Sequence, residues 1–164
     1  MEGREASAGA AAGGLTVAPS GGDEVTTRAV VVATGVAYRR LGIPALEALT
    51  GAGVFYGASV AETQAVAGER VYVVGGGNSA GQAAMHLSRH ALQVTVIVRG
   101  ESLAQSMSRY LIDGIEATRN IDLRFATEVV GGGGKGRLER LVLADRRTGL
   151  RRSVEDKQPP AWAF

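Results

Sequence analysis

Cysteine is absent from the 164 residues of this chain. Its absence excludes a disulfide scaffold, a thiolate zinc site, an iron–sulfur cluster and an internal dithiol from these residues. Long apolar runs are missing too, since runs such as residues 29–33 fall far short of the ~20 residues that a membrane-spanning helix needs. The first residues are charged and lead into an Ala/Gly stretch without the apolar core of a signal peptide. We therefore expect a soluble cytoplasmic protein.

Charge of one sign is also scarce, because 18 Lys and Arg face 16 Asp and Glu, giving a net charge of +2. One basic cluster occurs without an aromatic between its members: Arg146, Arg147, Arg151 and Arg152. Such a cluster is typical of a solvated strand end, so the sequence predicts no nucleic-acid partner. Glycine, in contrast, is abundant at 24 residues, about twice the usual ~7%. Without a Gly-x-y period these glycines indicate turns and close backbone approaches.

The first third of the chain shows short strand patterns around turn-forming residues. Residues 15–17 and 25–27 are β-type stretches on either side of a turn rich in Pro, Ser and Gly. Residues 29–33 form an unbroken apolar run, which predicts a strand buried on both faces. Residues 1–14 have low complexity, so we expect a frayed start or a remnant of something longer. We interpret residues 36–52 as a connecting segment.

The clearest feature is a strand–turn–helix–strand unit. The apolar run 71–74 stops at three glycines, and residues 94–98 form a further strand. Between them, small apolar residues recur at helical spacing for about three turns. This order predicts a βαβ unit and hence an α/β fold. The helical positions are Ala80, Ala83, Ala84, Leu87 and Ala91.

A second helix and a meander are predicted after this unit. An i, i+4 apolar stripe predicts a helix over residues 102–117, and alternation at 121–125 predicts a half-buried strand. Residues 131–136 are interpreted as a turn, and residues 141–149 as the end of a β-hairpin or meander. The tail, 156–164, shows no pattern that would continue the sheet. The stripe consists of Leu103, Met107, Leu111 and Ile115.

The residues at the first turn of the βαβ unit fit the pattern G-x-G-x-x-G/A. Gly75 permits a tight turn, Gly77 lets the backbone approach a pyrophosphate, and Ala80 allows close packing of helix on strand. The amides near Asn78 and Ser79 lie at a helix N-terminus, which favours an anion. A purely structural turn is the alternative. The sequence predicts a dinucleotide site formed by Gly75, Gly76, Gly77, Asn78, Ser79 and Ala80.

The residue after the second strand of the unit bears on the choice of nucleotide. NAD-binding units usually place Asp or Glu there for the ribose 2′-hydroxyl, whereas an Arg accommodates a 2′-phosphate. Arg99 stands 24 positions after Gly75 and favours NADP. Glu101 keeps NAD open, because a small loop shift would bring its carboxylate to the ribose.

These motifs resemble the middle portion of thioredoxin-reductase-like flavoproteins. The resemblance runs over residues 27–149, and it rests on TRAVVVATGVAYRRLGIP, GVFYGASVAE, VYVVGGGNSAGQAAMHLSRHALQVTVIVR and the meander ending in DRRTG. In that family an NADPH-binding domain is inserted between two segments of an FAD-binding domain. The resemblance implies that residues 75–80 and Arg99 hold NADPH. It also implies that Ala33, Thr34 and Gly35 end an FAD-domain strand near the flavin nucleotide.

This sequence departs from the family pattern at several positions. Gly57 and Val60 stand where the family has its C-x-x-C pair, so no dithiol here can relay electrons to thioredoxin. The family motif H-R-R-x-x-x-R is reduced to Arg99, with Gly100 and Ala104 at its other Arg positions. The family's own N-terminal FAD motif and its C-terminal FAD segment are not recognisable. We therefore expect an internal fragment or a truncated gene product.

The predicted fold is a Rossmann-type NAD(P)-binding domain with a β-meander and flanking remnant strands of an FAD-binding domain. The predicted segments are a low-complexity N-terminus (1–14), partial FAD-domain strands with a connector (15–48), the NAD(P)-binding domain (49–152) and an unpatterned tail (153–164). The predicted activity is hydride transfer from NADPH to FAD and then to an acceptor other than an internal disulfide, such as a ferredoxin, a quinone or an external redox partner. No residue is predicted to be catalytic. A non-catalytic NAD(P)-binding module is the alternative, and homodimerisation stays open.

Other motifs point to chemistry less specifically. His86 and His90 have the i, i+4 spacing of zinc enzymes, but the pattern lacks the Glu of H-E-x-x-H and a third ligand. Residues 131–135 look like a phosphate loop, but Gly136 replaces the expected Ser or Thr. Ser59 and Ser79 have no recognisable base. We predict neither a metal site nor a hydrolase.

Overall fold

A computed structural model describes residues 6–11, 14–19, 22–35, 39–57, 66–155 and 161–163. The chain divides into two compact units, Met1–Ala37 and Tyr38–Phe164. Several residues of the sequence predictions, Ser59 and Val60 among them, lie outside the described ranges. No helix in the described ranges is long and apolar enough to cross a membrane.

The first unit contains a three-stranded antiparallel sheet in the order β1-β2-β3. Its strands are β1 (Ala6–Ala11), β2 (Gly14–Pro19) and β3 (Val25–Thr27). The strands predicted at 15–17 and 25–27 are confirmed. The frayed start is wrong for β1, which pairs with β2 from Ala6 opposite Pro19 to Ala11 opposite Gly14. Ladder hydrogen bonds use backbone groups alone, so the low complexity of this segment did not prevent pairing.

The strand predicted at residues 29–33 is not present. The described residues 28–35 carry no strand, and Val31 and Val32 are 89% and 79% exposed. A strand buried on both faces requires a neighbour on each side and a layer above and below. This segment has no strand partner in the described part of the chain, so its apolar side chains face solvent.

In its described residues the second unit combines a parallel sheet, an antiparallel meander and three helices. In chain order its elements are α1 (Pro44–Glu47), β4 (Arg70–Val74), α2 (Asn78–Leu87), β5 (Gln93–Ile97), α3 (Arg109–Ala117), β6 (Ile121–Arg124), β7 (Thr127–Gly133), β8 (Arg140–Asp145), β9 (Arg151–Glu155) and β10 (Ala161–Ala163).

The parallel sheet has the strand order β10-β4-β5-β6, and every neighbouring pair in it is parallel. Its central strands β4 and β5 are buried over most of their length, as their continuous apolar runs predict. The prediction that the tail does not continue the sheet is wrong, since β10 pairs along β4 with Trp162 opposite Tyr72. A three-residue edge strand needs no alternation pattern, because the backbone of β4 supplies its partners.

Two helices cover the parallel sheet and form its main core. The small residues of α2 are buried against β4 and β5, which confirms the predicted βαβ unit. All four residues of the second apolar stripe are buried as well, but α3 begins at Arg109 and not at residue 102. Leu103 and Met107 lie in a preceding turn, in which the Met107 amide donates to the Leu103 carbonyl at 2.9 Å. A single helical turn before a break produces the same periodicity as a continuous helix.

The meander β7-β8-β9 is antiparallel and packs with α1 in a second core. The predicted turn at 131–136 is corrected, because residues 131–133 belong to β7 and the turn follows from Gly134. One of the three glycines of β7, Gly132, is required by packing. A Cβ there would lie 2.6 Å from Cδ2 of Leu46, so the absent side chain makes room for α1. The helix α1 itself lies within the segment predicted as a connection.

Candidate functional site

The glycine turn connects β4 to α2 in the strand–turn–helix order that the sequence predicted. Gly75 has φ +152°, and a Cβ there would lie 3.0 Å from Cβ of Ala80, so glycine is needed for both conformation and packing. Gly77 is the N-cap of α2 in an extended conformation. The amides of the first turn of α2 have no partner within the helix, so they are available to an anion at the helix N-terminus.

A cleft of about 210 Å³ opens beside this turn. It lies at the carboxyl ends of β4 and β5, which is where open α/β sheets bind their ligands. The cleft is bounded by the glycine turn on one side and by the segment after β5 on the other. Its lining residues are Val74, Gly75, Gly76, Ile97, Val98, Arg99, Gly100, Ser102, Gln105 and Ser106.

Serine and asparagine side chains attach the segment after β5 to the glycine turn. The Ser106 hydroxyl donates to the carbonyl of Gly76 at 2.8 Å. The amide and the hydroxyl of Ser108 both donate to Oδ1 of Asn78, at 2.8 and 2.9 Å. The Asn78 side chain therefore holds the wall of the cleft. Ser79 stays exposed on the first turn of α2.

The sequence predictions missed Ser102, Gln105 and Ser106 as lining residues. The apolar stripe placed all three on a regular helix, whereas the structure places them in the turn before α3. The three serines between Glu101 and Arg109 were the available signal, because Ser favours turns and N-caps over helix interiors.

The protein packs less closely against Gly77 than against Gly76. The nearest heavy atom to a Cβ on Gly77 would be the Ser106 carbonyl oxygen at 3.7 Å, an ordinary van der Waals contact, so the protein's own packing would admit a Cβ there. A Cβ on Gly76, in contrast, would lie 3.0 Å from Cγ1 of Val98. The turn is thus packed closely at Gly76 and less closely at Gly77, which is compatible with the approach of a pyrophosphate at Gly77.

The charged residues after β5 are ordered by the meander. The Arg99 side chain is exposed and lines the cleft, while its carbonyl accepts a hydrogen bond from Nη1 of Arg146 at 3.1 Å. The Glu101 carboxylate pairs with Nε of Arg147 at 3.0 Å. The basic cluster of Arg146, Arg147, Arg151 and Arg152 is exposed, as a solvated strand end would be. Its first two arginines also contact Arg99 and Glu101 in the segment after β5.

The three residues predicted to approach a flavin lie in the first unit. Ala33, Thr34 and Gly35 are exposed. Gly35 has φ +77°, and among the described residues no heavy atom lies within 4 Å of a Cβ built there. A flavin site needs a concave, mostly buried surface. In the described part of the first unit these residues do not form one, so they do not fit a flavin by themselves.

A polar cluster surrounds Tyr56, the residue before Gly57. The Tyr56 hydroxyl donates to Oε1 of Glu47 at 2.5 Å, and Arg40 donates to Oε2 at 2.9 Å. The hydrogen bond from Tyr56 is the main cause that lowers the pKa of Glu47. Burial and then the Glu47 carboxylate raise the pKa of Tyr56. The cluster fixes α1 to the chain around it, and it lies outside the cleft lining.

The two other motifs with possible chemistry are the His86–His90 pair and the glycine-rich turn at Lys135. The rings of His86 and His90 are 6.1 Å apart and tilted by 60°, and His90 follows the end of α2. Within the described ranges, no group of three or more His, Asp or Glu side chains could hold a metal ion. Lys135 lies in the turn between β7 and β8, which is a strand–turn–strand arrangement and not a strand–turn–helix.

The chain matches known proteins over most of its length. A family model described as pyridine nucleotide-disulphide oxidoreductase matches residues 6–153. Thioredoxin reductase of Streptomyces clavuligerus is 35% identical over 139 residues, covering 85% of this chain and 42% of that protein. Thioredoxin reductase of Bacillus subtilis is 39% identical over 92 residues, covering 56% and 29%. The chain thus spans less than half the length of these relatives.

A solved structure confirms the predicted fold class. The crystal structure of Lactococcus lactis thioredoxin reductase in its FR conformation superposes with a TM-score of 0.73. The two sequences are 22% identical, and the superposition covers 96% of this chain and 50% of that one. Identity at this level establishes the fold and leaves the chemistry to the residues of the site.

Proposed function

Because this chain belongs to the pyridine nucleotide-disulphide oxidoreductase family, we propose that it binds NADPH in the cleft beside its glycine turn. In this proposal the chain is the nucleotide-binding portion of a flavin-dependent oxidoreductase that resembles thioredoxin reductase. The observation that carries the proposal is the room beside Gly77, the N-cap of α2, where the nearest heavy atom to a Cβ would lie 3.7 Å away. A glycine at a helix N-terminus allows the backbone amides to come close to a pyrophosphate, because no side chain stands between them.

Three groups of this chain hold the nucleotide in the proposal. Gly77 and the amides at the start of α2 take the pyrophosphate, since the helix dipole favours an anion there. The Arg99 guanidinium takes the 2′-phosphate, because its planar fork suits phosphate oxygens. The loop carrying Ser102, Gln105 and Ser106 covers the ligand and excludes water. NAD is the alternative, with Glu101 as the ribose ligand.

Were FAD held by residues beyond Ala33, Thr34 and Gly35, NADPH bound in the cleft would supply a hydride to it, and the electrons would then go to a further acceptor. Pyridine nucleotide and flavin supply the redox chemistry, while the protein supplies binding, orientation and electrostatics. Since the chain has no cysteine, the proposed acceptor is not a disulfide within these residues. A ferredoxin, a quinone or an external redox partner would serve, in a cytoplasmic setting. Reduction of thioredoxin by a dithiol of this chain is excluded on the same ground.

Calorimetric titration of the chain with NADPH and with NADH tests the proposal. We expect saturable binding of both nucleotides with one site per chain, and tighter binding of NADPH. Adenosine 2′,5′-bisphosphate should compete with NADPH, because it carries the same 2′-phosphate. If neither NADPH nor NADH binds, the proposed function is wrong. Tighter NADH than NADPH would keep the site but assign the ribose to Glu101.

A further inference from the structure

The turn between β8 and β9 is held rigidly by its own hydrogen bonds. Oδ1 of Asp145 accepts the amides of Arg147 at 2.8 Å and Thr148 at 3.0 Å, and these bonds lower the pKa of Asp145. Gly149, at φ +73°, donates its amide to the Asp145 carbonyl at 2.8 Å. The position of the Arg147 backbone is therefore set by the turn and does not depend on the contacts of the Arg147 side chain.

This turn is also attached to the loop that carries Arg99 and Glu101. The Arg146 amide donates to the Ala126 carbonyl at 2.7 Å, and the Ala126 amide donates to the Gly100 carbonyl at 2.8 Å. The Arg146 side chain donates to the Arg99 carbonyl at 3.1 Å. Glu101 and Arg147 are therefore brought together by a connected backbone, and the pair costs less ordering entropy than two free surface side chains.

We infer that Arg147 sets the nucleotide preference of the cleft by occupying the carboxylate of Glu101. This inference rests on the proposed nucleotide site. A free carboxylate after the second strand of a βαβ unit binds a ribose 2′-hydroxyl and repels a 2′-phosphate. Paired with Arg147 at 3.0 Å, Glu101 has its charge compensated and one oxygen engaged. Arg147 is in this role a positioning residue, acting through Glu101 beside the single family arginine, Arg99.

The exposure of the pair separates this role from a structural one. The Arg147 and Glu101 side chains are 61% and 74% exposed, and exposed ion pairs contribute little to stability. Removing Arg147 should therefore leave the unfolding midpoint unchanged. Its effect should appear in the ratio of NADPH to NADH affinity, because only NADPH carries a 2′-phosphate and a released Glu101 carboxylate, next in the chain to the cleft-lining residues Gly100 and Ser102, would repel it.

The test is a double-mutant cycle on the intact chain, with both nucleotides titrated by calorimetry at low and at physiological salt. Arg147→Gln should lower the ratio of NADPH to NADH affinity by about threefold to tenfold, with the larger effect at low salt. Adding Glu101→Gln should restore the ratio to the wild-type value or above, because the repelling charge is then gone. Arg152→Gln, which removes an exposed arginine of β9, is the matched charge control and should leave the ratio unchanged.

The outcomes also separate this inference from the function on which it rests. A wild-type chain that binds neither nucleotide overturns both. If the wild type binds and Arg147→Gln weakens NADPH and NADH equally, the inference alone is wrong. It is also wrong if Glu101→Gln fails to restore the ratio, since Arg147 would then act on the nucleotide directly. A ratio that falls and is restored supports it.

Discussion

Two glycines of the β4–α2 turn are glycine for different physical reasons. Gly75 has φ +152° and lies against Ala80, so its conformation and its packing both exclude a side chain. Gly77 has an ordinary extended backbone, and a Cβ there would lie 3.7 Å from its nearest heavy atom, so the protein's own packing does not exclude a Cβ. Sequence spacing predicted the tight turn at Gly75, which its φ confirms, and the role of Gly77 at a pyrophosphate stays a prediction. It could not predict that Glu101 pairs with Arg147, because that contact joins residues 46 positions apart.

We predict that Gly77→Val abolishes binding of NADPH and NADH while the fold persists. A Cβ at this position meets no protein atom closer than 3.7 Å, whereas the branched valine side chain would occupy the position proposed for the pyrophosphate. The expected loss of stability is about 1 kcal/mol, since valine is a poorer N-cap than glycine. Titration calorimetry measures binding, and urea unfolding measures stability.

The matched control for this variant is Gly133→Val. Gly133 is the last residue of β7, and no heavy atom lies within 4 Å of its Cβ position. Valine suits a strand, so this variant should bind nucleotide like the wild type. Normal binding by Gly77→Val would show that the ligand does not approach the turn at that residue.

We predict that Arg99→Ala weakens NADPH by about 1.5–3 kcal/mol, the range for hydrogen bonds to charged groups. NADH should be nearly unaffected, because it has no 2′-phosphate for the guanidinium to contact. Stability should change little, since the side chain is exposed and only the backbone carbonyl of Arg99 is held by Arg146. Titration with both nucleotides gives the result, and equal weakening of the two would assign Arg99 a structural role.

At the scale of elements, periodicity identified which residues are buried better than where helices begin. Leu103 and Met107 are buried as the stripe predicted, yet α3 starts only at Arg109. The hydrogen bonds from Ser106 and Ser108 to the glycine turn hold this segment in a turn conformation. These partners lie 30 residues away in sequence, so local pattern could not show them. The short helix α1 was missed because four residues show no period.

The cluster that fixes α1 should make stability depend on acid pH. Tyr56 lowers the pKa of Glu47 below its ordinary value of 4.5 in the folded state. A lowered carboxyl pKa contributes stability at pH values above the unfolded value, and the contribution is lost as the pH falls through the folded value. Tyr56→Phe should therefore destabilise the chain at neutral pH, and the deficit should shrink as the pH drops below about 4.5.

Urea unfolding midpoints of the wild type and Tyr56→Phe between pH 7 and pH 3 measure this effect. Tyr110→Phe is the matched control, because Tyr110 is 66% exposed on α3 and should show no deficit at any pH. A deficit of Tyr56→Phe that stays constant across the range would mean that the other contact of the hydroxyl, which accepts the Leu41 amide at 3.4 Å, accounts for the loss and not the bond to Glu47.

At the scale of the whole molecule, the second unit followed from sequence more fully than the first. The βαβ unit and the meander depend on local turns and on continuous apolar runs, which are visible in the sequence. Residues 29–33 show the same kind of run, but a buried strand exists only where other strands and layers receive it. A hydrophobic pattern indicates which secondary structure a segment favours. Whether the segment adopts it depends on the strands and layers available to pair and pack with it. The edge strand β10 is the converse case, formed on β4 without a pattern of its own.

This difference between the units leads to the last prediction, that the chain as it stands binds no FAD. Val31 and Val32 are 89% and 79% exposed, and among the described residues no heavy atom lies within 4 Å of a Cβ built on Gly35. Purification with excess FAD followed by desalting should leave no flavin band in the visible spectrum. NADPH titration of the same sample is the internal control, because it shows that the second unit is folded. A stoichiometric yellow complex would contradict the prediction and would imply that a second copy completes the site.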